Sequence, residues 1–199
     1  MSPVTALSLL ASVIFLIRLI PQPARLWRTG VTAGVSPVAA ANAVTSASAW
    51  LVYGASRGLL VVWAVSVAAL VPGLWTVSLL RREFGRLEVL ATGAVAGTFV
   101  LSAAVGVFGA ALALGVLATA GPQVWRAVRH SDLWGIAPAT WFVAIADAVS
   151  WGAYGVLIHD GALQGYGVVL FAGAAIVLGR VAWTRRRVVS AQVASPAAL

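Results

Sequence analysis

The sequence predicts an all-α membrane protein: seven transmembrane helices in a 3+1+3 arrangement of two parallel triple-helix bundles, N-terminus outside and C-terminus cytoplasmic. Three observations carry that expectation: composition, an internal repeat and the placement of the arginines. Of 199 residues, 61% are hydrophobic and only 9% charged, with a mean hydropathy of +0.99; a soluble domain carries about 25% charged residues. A single ungapped offset of 101 residues maps Pro21-Gln22 onto Pro122-Gln123, Arg25 onto Arg126, Arg28 onto Arg129, Gly34 onto Gly135, Pro37 onto Pro138, Trp50 onto Trp151 and Tyr53-Gly54 onto Tyr154-Gly155. Gly, Pro, Trp and Tyr coincide least often by chance, so the register is specific although the aliphatic positions have diverged.

Apolar stretches bounded by Arg, Pro or Gly place the spans near 3–25, 36–56, 58–80, 87–105, 107–127, 136–157 and 161–183. Roughly 17–25 residues are needed to cross about 30 Å of hydrocarbon. The first run, Pro3 to Ile20, has no basic region before it and meets its first charge, Arg18, at its far end. A cleaved signal has the opposite polarity, so this run reads as the first membrane helix. The fourth span, LEVLATGAVAGTFVLSAAVG, has no counterpart in the repeat register and almost joins the fifth, with a break around Gly106-Val107-Phe108-Gly109. Arg185-Arg186-Arg187 reads as a stop-transfer anchor after the last span, followed by a short tail from Ser190 to Leu199.

Orientation follows from the arginines, because short cytoplasmic loops carry the excess of positive charge. With seven spans and an outside N-terminus, twelve arginines fall toward the cytoplasm and only Arg57 faces out. Three spans per repeat is an odd number, so two parallel repeats require one extra crossing, which the fourth span supplies. The resulting division is 1–83 for the first bundle, 84–106 for the linker helix, 107–184 for the second bundle and 185–199 for a cytoplasmic tail. Trp27, Trp125, Trp134 and Trp183 then lie near the cytoplasmic ends, as belt residues do.

Composition also excludes function classes. The net charge of +8 comes from arginines scattered between apolar runs, without the continuous basic face that a nucleic-acid partner requires. All thirteen basic residues are Arg, so no lysine is present to form a retinal Schiff base. With no Cys there is no thiolate site, and His130 and His159 fall in predicted loops, which disfavours haem. No phosphate loop, metal-ligand spacing or nucleophile with a base occurs, so the sequence predicts neither an enzyme nor a cofactor nor a metal. The expected partners are a small-molecule substrate and the lipid bilayer, with room for self-association. The expected location is the plasma membrane of a bacterium.

Several residues inside the spans invite a functional reading. A proline in a span bends the helix without unfolding it, so Pro21 and Pro122 are hinge candidates, with a static kink as the plainer alternative. At ~1.5 Å per residue, Trp50 lies about 6 Å from the centre of its span, deeper than suits an interfacial anchor. Asn42, Ser46 and Trp50 share one helix face at i, i+4 and i+8, and a polar stripe in hydrocarbon turns toward other helices or water. Close helix packing through Ala39-Ala40-Ala41 is the competing explanation. Asp147, at the position equivalent to Ser46, is the one acid placed deep in the bilayer. A charged carboxylate at mid-membrane costs about 2.5–3.5 kcal/mol on insertion scales, so Asp147 is protonated, solvated or paired, and is a candidate for proton coupling.

Pro-Gln, then Gly-x-x-Pro, then Trp-x-x-Tyr-Gly, present twice over about residues 3–183, resembles the PQ-loop superfamily, and within it the SWEET sugar transporters and their half-size SemiSWEET relatives. Parallel repeats about a membrane-normal axis belong to that architecture. The resemblance implies that the Pro21 and Pro122 helices swing during alternating access, that Gln22 and Gln123 brace the freed backbone, and that Trp50 and Trp151 stack on a sugar ring. SWEET-type pockets add an asparagine on the third helix of each repeat; here Ser66 and Gly167 occupy those positions, with Gln164 one turn away as a substitute. Proton-coupled amino-acid exporters of the superfamily carry an aspartate in the helix of Asp147, nearer Ala144 by register. The implied function is transport of a small polar solute, a sugar first. Proton-coupled amino-acid, vitamin or nucleoside transport is the alternative, and a non-transporting sensor ranks lower.

Overall fold

A computed structural model describes residues 2–32, 35–129 and 138–194, excluding the side chains of Pro122, Gln123, Arg126 and residues 185–194. Gly34, His130, Trp134 and Gly135 lie outside the described residues, as do the side chains of Arg185-Arg186-Arg187 and the tail beyond Ala194. The chain forms eight α-helices among the described residues: α1 Pro3–Leu19, α2 Pro21–Thr29, α3 Pro37–Ser56, α4 Leu60–Leu79, α5 Arg86–Ala104, α6 Phe108–Arg129, α7 Pro138–Leu157 and α8 Gly161–Ala194. A single 3-10 turn, Arg81–Glu83, follows α4.

Helix starts follow local chemistry. Pro3, Pro37 and Pro138 each open a helix, where a missing N–H costs nothing because the first turn has no partner for it. The Ser2 and Ser36 hydroxyls accept from the N–H groups of Thr5 and Ala39, capping α1 and α3. Pro37 and Pro138 are repeat mates, so the repeat fixes where α3 and α7 begin. α1 breaks at Ile20, ahead of Pro21, but Ile20 keeps helical angles and its carbonyl accepts from Ala24, so α2 continues as a bend. α6 passes through position 122 as one helix, Phe108–Arg129. The two hinge candidates therefore differ.

The α3–α4 and α7–α8 turns repeat bond for bond. Arg57 N–H reaches Tyr53 O at 2.9 Å and Leu59 N–H reaches Gly54 O at 2.8 Å; Ile158 N–H reaches Tyr154 O at 3.1 Å and Asp160 N–H reaches Gly155 O at 2.8 Å. Each turn places one residue in the left-handed region, Gly58 at φ 66° and His159 at φ 55°. This six-to-one bond after a left-handed residue is the Schellman closure of a helix. A Cβ on Gly54 would meet Trp63 N at 2.7 Å, and one on Gly155 would meet Gln164 N at 2.8 Å. The Tyr-Gly pair of the motif is thus a packing requirement: the second helix starts against the glycine.

α7 packs along α8, α6 along α8 and α3 along α4, while α1 lies against α7 and α4, and α3 touches α5 and α6. The opening helix of each repeat therefore leans on the second helix of the other. Gly109 of α6 lies beside Tyr53 and Ala162, so the α3–α4, α5–α6 and α7–α8 turns gather at one end of the bundle, called the turn end below. The opposite end, called the arginine end, carries Arg25, Arg28, Arg81, Arg82, Arg86, Arg129 and Arg180.

The expectation of seven spans in a 3+1+3 arrangement is corrected by the structure. Among the described residues, five segments are long and apolar enough to cross a membrane: Pro3–Thr29, Leu60–Leu79, Arg86–Ala104, Pro138–Leu157 and Gly161–Thr184. α3 has the length, but Asn42, Thr45, Ser46 and Ser48 make it too polar; in α6 the apolar run among the fully described residues is Phe108–Gly121. The orientation deduced from seven alternating crossings loses its basis with the count. Large apolar side chains face outward along these segments, Leu60 and Leu87 among them at over 70% exposure. Lipid is the solvent that such a surface fits, and the chain is an integral, multi-pass α-helical membrane protein.

Candidate functional site

Trp50 of α3 and Trp151 of α7, the repeat-related tryptophans, line a single small cavity. Phe15 from α1, Val62, Val65 and Ser66 from α4, and Leu163 and Tyr166 from α8 complete its wall. Trp151 is buried and Trp50 half-buried. The cavity measures about 40 Å³, room for a few waters at about 10–15 Å³ each. It is a small, partly open cavity, and interhelical contacts flank it toward either end of the bundle.

Toward the turn end stand aromatic rings and one buried acid. Trp50 meets Tyr53 edge-on at 5.7 Å and Tyr166 at 5.8 Å, and Tyr53 meets Phe108 at 6.1 Å. Tyr53 Oη donates to Asp160 Oδ2 at 2.8 Å, while Asp160 Oδ1 accepts from Leu163 N–H at 3.0 Å and so caps α8. The carboxylate ties α3 of one repeat to the α7–α8 turn of the other. Sequence reasoning missed this residue. The signal was an acid directly after the left-handed residue of the repeated turn, where the first repeat has Leu59.

Toward the arginine end the floor is an ion pair. Arg18 Nη1 of α1 lies 3.1 Å from Asp147 Oδ2 of α7, and Tyr166 Oη donates to the same oxygen at 2.7 Å. Arg18 Nη2 also reaches Tyr166 Oη at 3.4 Å, and the guanidinium lies 5.4 Å from the centre of the Phe15 ring. Asp147 is wholly buried, whereas the Arg18 side chain keeps 22% exposure. The Trp151 indole N–H also interacts with the carboxyl group as a donor, although Oδ1 makes no hydrogen bond of good geometry among the described residues. Arg18, read from the sequence as one of the cytoplasmic charges, instead turns back into the bundle. It is the one cation inside the first apolar run, and pairing is one way in which a buried aspartate is accommodated.

The remaining sequence-derived candidates divide. Ser66 lines the cavity but gives its hydroxyl hydrogen to Val62 O at 2.7 Å. Gly167 packs against α7: a Cβ there would meet Ala148 O and Gly152 Cα, both at 2.7 Å, so the position admits no larger side chain. Gln164 donates to Gly155 O at 3.2 Å, bracing the α7–α8 turn rather than entering the cavity. Asn42 is buried with Oδ1 unpartnered and Ser46 is half-buried; neither belongs to the cavity wall. Gln22 is exposed at the start of α2, and the side chains of Pro122 and Gln123 lie outside the described residues.

No known protein family matches the chain, and no curated protein matches it either. What sequence and fold together establish is an all-α protein of several long apolar helices, held in a bilayer, with a small cavity lined by both repeat-related tryptophans.

Proposed function

We propose that this protein is a membrane transporter that passes a small solute through the Trp50–Trp151 chamber by opening it alternately at the turn end and at the arginine end. One observation carries the reading: two tryptophans related by the internal repeat converge on one small cavity, flanked toward either end of the bundle by contacts between different helices. At the turn end the contact is Tyr53–Asp160; at the other it is Arg18–Asp147–Tyr166. The bend at Ile20–Pro21 begins two residues beyond Arg18, so swinging α2 would move one side of the floor. The arginines gathered at the floor end favour its facing the cytoplasm whatever the number of crossings.

The resemblance to SWEET transporters supplies a sugar as the first candidate solute. The wall supports it weakly: its hydroxyls, on Ser66 and Tyr166, already donate to Val62 and Asp147, whereas a sugar needs many partners. A solute with an apolar body and one polar end suits the wall better. Uptake into proteoliposomes tests the proposal. Trp50→Ala and Trp151→Ala should each abolish solute uptake while the protein still inserts; undiminished uptake by both would remove the chamber from the path.

A further inference from the structure

The chamber wall is nearly apolar, and the strongest polar groups near it are the floor pair just behind Phe15 and Tyr166. We propose that the floor is the solute site: Arg18 binds the carboxylate of a small monocarboxylate with an apolar body, releasing Asp147, which takes up one proton on Oδ1. This rests on the transport reading and names the solute class for it.

The geometry of the pair points this way. Arg18 Nη1 and Tyr166 Oη converge on Oδ2 of Asp147, Trp151 is the other donor beside the carboxyl group, and the enclosed Oδ1 makes no hydrogen bond of good geometry among the described residues. A guanidinium locked to a carboxylate for strength makes two parallel bonds, one to each oxygen. Here the pairing is one-sided. A buried ion pair is also a poor way to hold α1 on α7, since apolar contacts of similar volume do so as well or better. The pair fits an exchangeable contact more than a fixed brace.

Arg18 is the partner able to move. It is the more exposed of the two, it contacts Phe15 and Tyr166, both of which line the chamber, and it precedes the α1–α2 bend. The helices packed on α7 are α8 and α1, and the titratable groups they turn toward Asp147 are Tyr166 and Arg18. Among the described residues, Arg18 is the one charged group paired with Asp147.

Charge balance then selects the solute. The resting floor is neutral, one guanidinium against one carboxylate. A monocarboxylate that takes Arg18 leaves Asp147 unpaired in a low dielectric, where it is stable only as the neutral acid, so the loaded floor is again neutral. A neutral sugar gives the pair no reason to part. A cation would leave a net positive charge buried, and a dicarboxylate a negative one. The planar guanidinium fork suits a carboxylate, and the Phe15, Val62, Val65 and Leu163 walls suit an alkyl body.

The test is thermal stability of the purified full chain in detergent with butyrate, butyramide, butylamine or glucose. Butyrate should stabilise it where the other three do not. Because butyrate stays ionised between pH 6 and 8, its apparent affinity should rise about tenfold per unit of falling pH, one proton being taken up with each anion. Asp147→Asn, which mimics the protonated acid, should bind butyrate without that pH dependence, and Arg18→Gln should not bind it. If Arg18→Gln alone fails to fold, the doubly neutral Arg18→Gln/Asp147→Asn variant leaves no charge unpaired and should fold without binding. Equal stabilisation by butyramide, pH-independent binding to the wild type, binding that survives loss of Arg18, or no response to butyrate would each overturn the proposal. Glucose uptake by proteoliposomes without any butyrate effect would overturn it and leave the transport reading standing. Butyrate binding without movement of any solute would overturn the transport reading alone.

Discussion

The hydroxyl of Tyr53 and the carboxylate of Asp160, 107 residues apart, meet at 2.8 Å and join α3 of the first repeat to the α7–α8 turn of the second. Their repeat mates, Tyr154 and Leu59, cannot form the same bond, because Leu59 has no acceptor in its side chain. One such bond therefore joins the repeats at the turn end, on one side of the pseudo-symmetric bundle.

Tyr53→Phe leaves Asp160 Oδ2 buried without that donor, and should lower stability by about 1–2 kcal/mol. It should also open the turn end. The chain has no cysteine, so Ser66→Cys provides a unique label in the chamber wall; its reaction with a membrane-impermeant maleimide should be faster in the Tyr53→Phe background than without it. An unchanged rate would remove Tyr53 from the closure.

Gly54→Ala and Gly155→Ala each place a methyl within 2.7 Å of the next helix, against Trp63 N and Leu163 Cβ respectively. Overpacking of this kind costs about 1–3 kcal/mol. Gly93→Ala and Gly97→Ala in α5 meet nothing within 4 Å and have ordinary helical backbone, so they should hold or raise stability, helix propensity favouring Ala by about 1 kcal/mol. Thermal unfolding in detergent separates the two pairs.

Gly167→Asn would supply the amide that the SWEET resemblance expects on the third helix. In this fold it drives Cβ into Ala148 O and Gly152 Cα, so the helices must part. The variant should insert poorly, and Gly167→Ala should already destabilise by about 1–3 kcal/mol. A well-folded Gly167→Asn protein would show that the α7–α8 contact yields.

Pro21→Ala restores the missing N–H at the α1–α2 junction and should straighten it. If the bend serves the movement, solute uptake falls several-fold while thermal stability is kept or increased. Pro122→Ala, in a helix that already runs through its position, should change uptake less. Equal effects from the two would point to a shared static role.

Much of the site was legible in the sequence as pairs rather than as positions. The 101-residue register identified Trp50 with Trp151 and Tyr53-Gly54 with Tyr154-Gly155, and these pairs do form the chamber wall and the two closely packed turns. Asp147 announced itself as an acid inside an apolar run. Arg18 and Asp160 were hidden because a charge near a helix end reads as loop charge until its partner is known. Gly167 was misleading for the opposite reason: aligned with a ligand position, it serves a backbone contact.

What the sequence determined by itself is the solvent and the duplication. An apolar fraction this high requires lipid, and a fixed offset of Pro, Trp and Gly requires a repeated local fold, because turn closure and helix starts depend on neighbours a few residues away. The number of spans did not follow, since hydropathy cannot tell a polar-striped helix sheltered by its neighbours from one that meets lipid. Only the tertiary structure decided that Arg18 pairs with Asp147 and Tyr53 with Asp160. Those contacts span 129 and 107 residues, and a partner at such a distance is set by how helices pack, which no local pattern encodes.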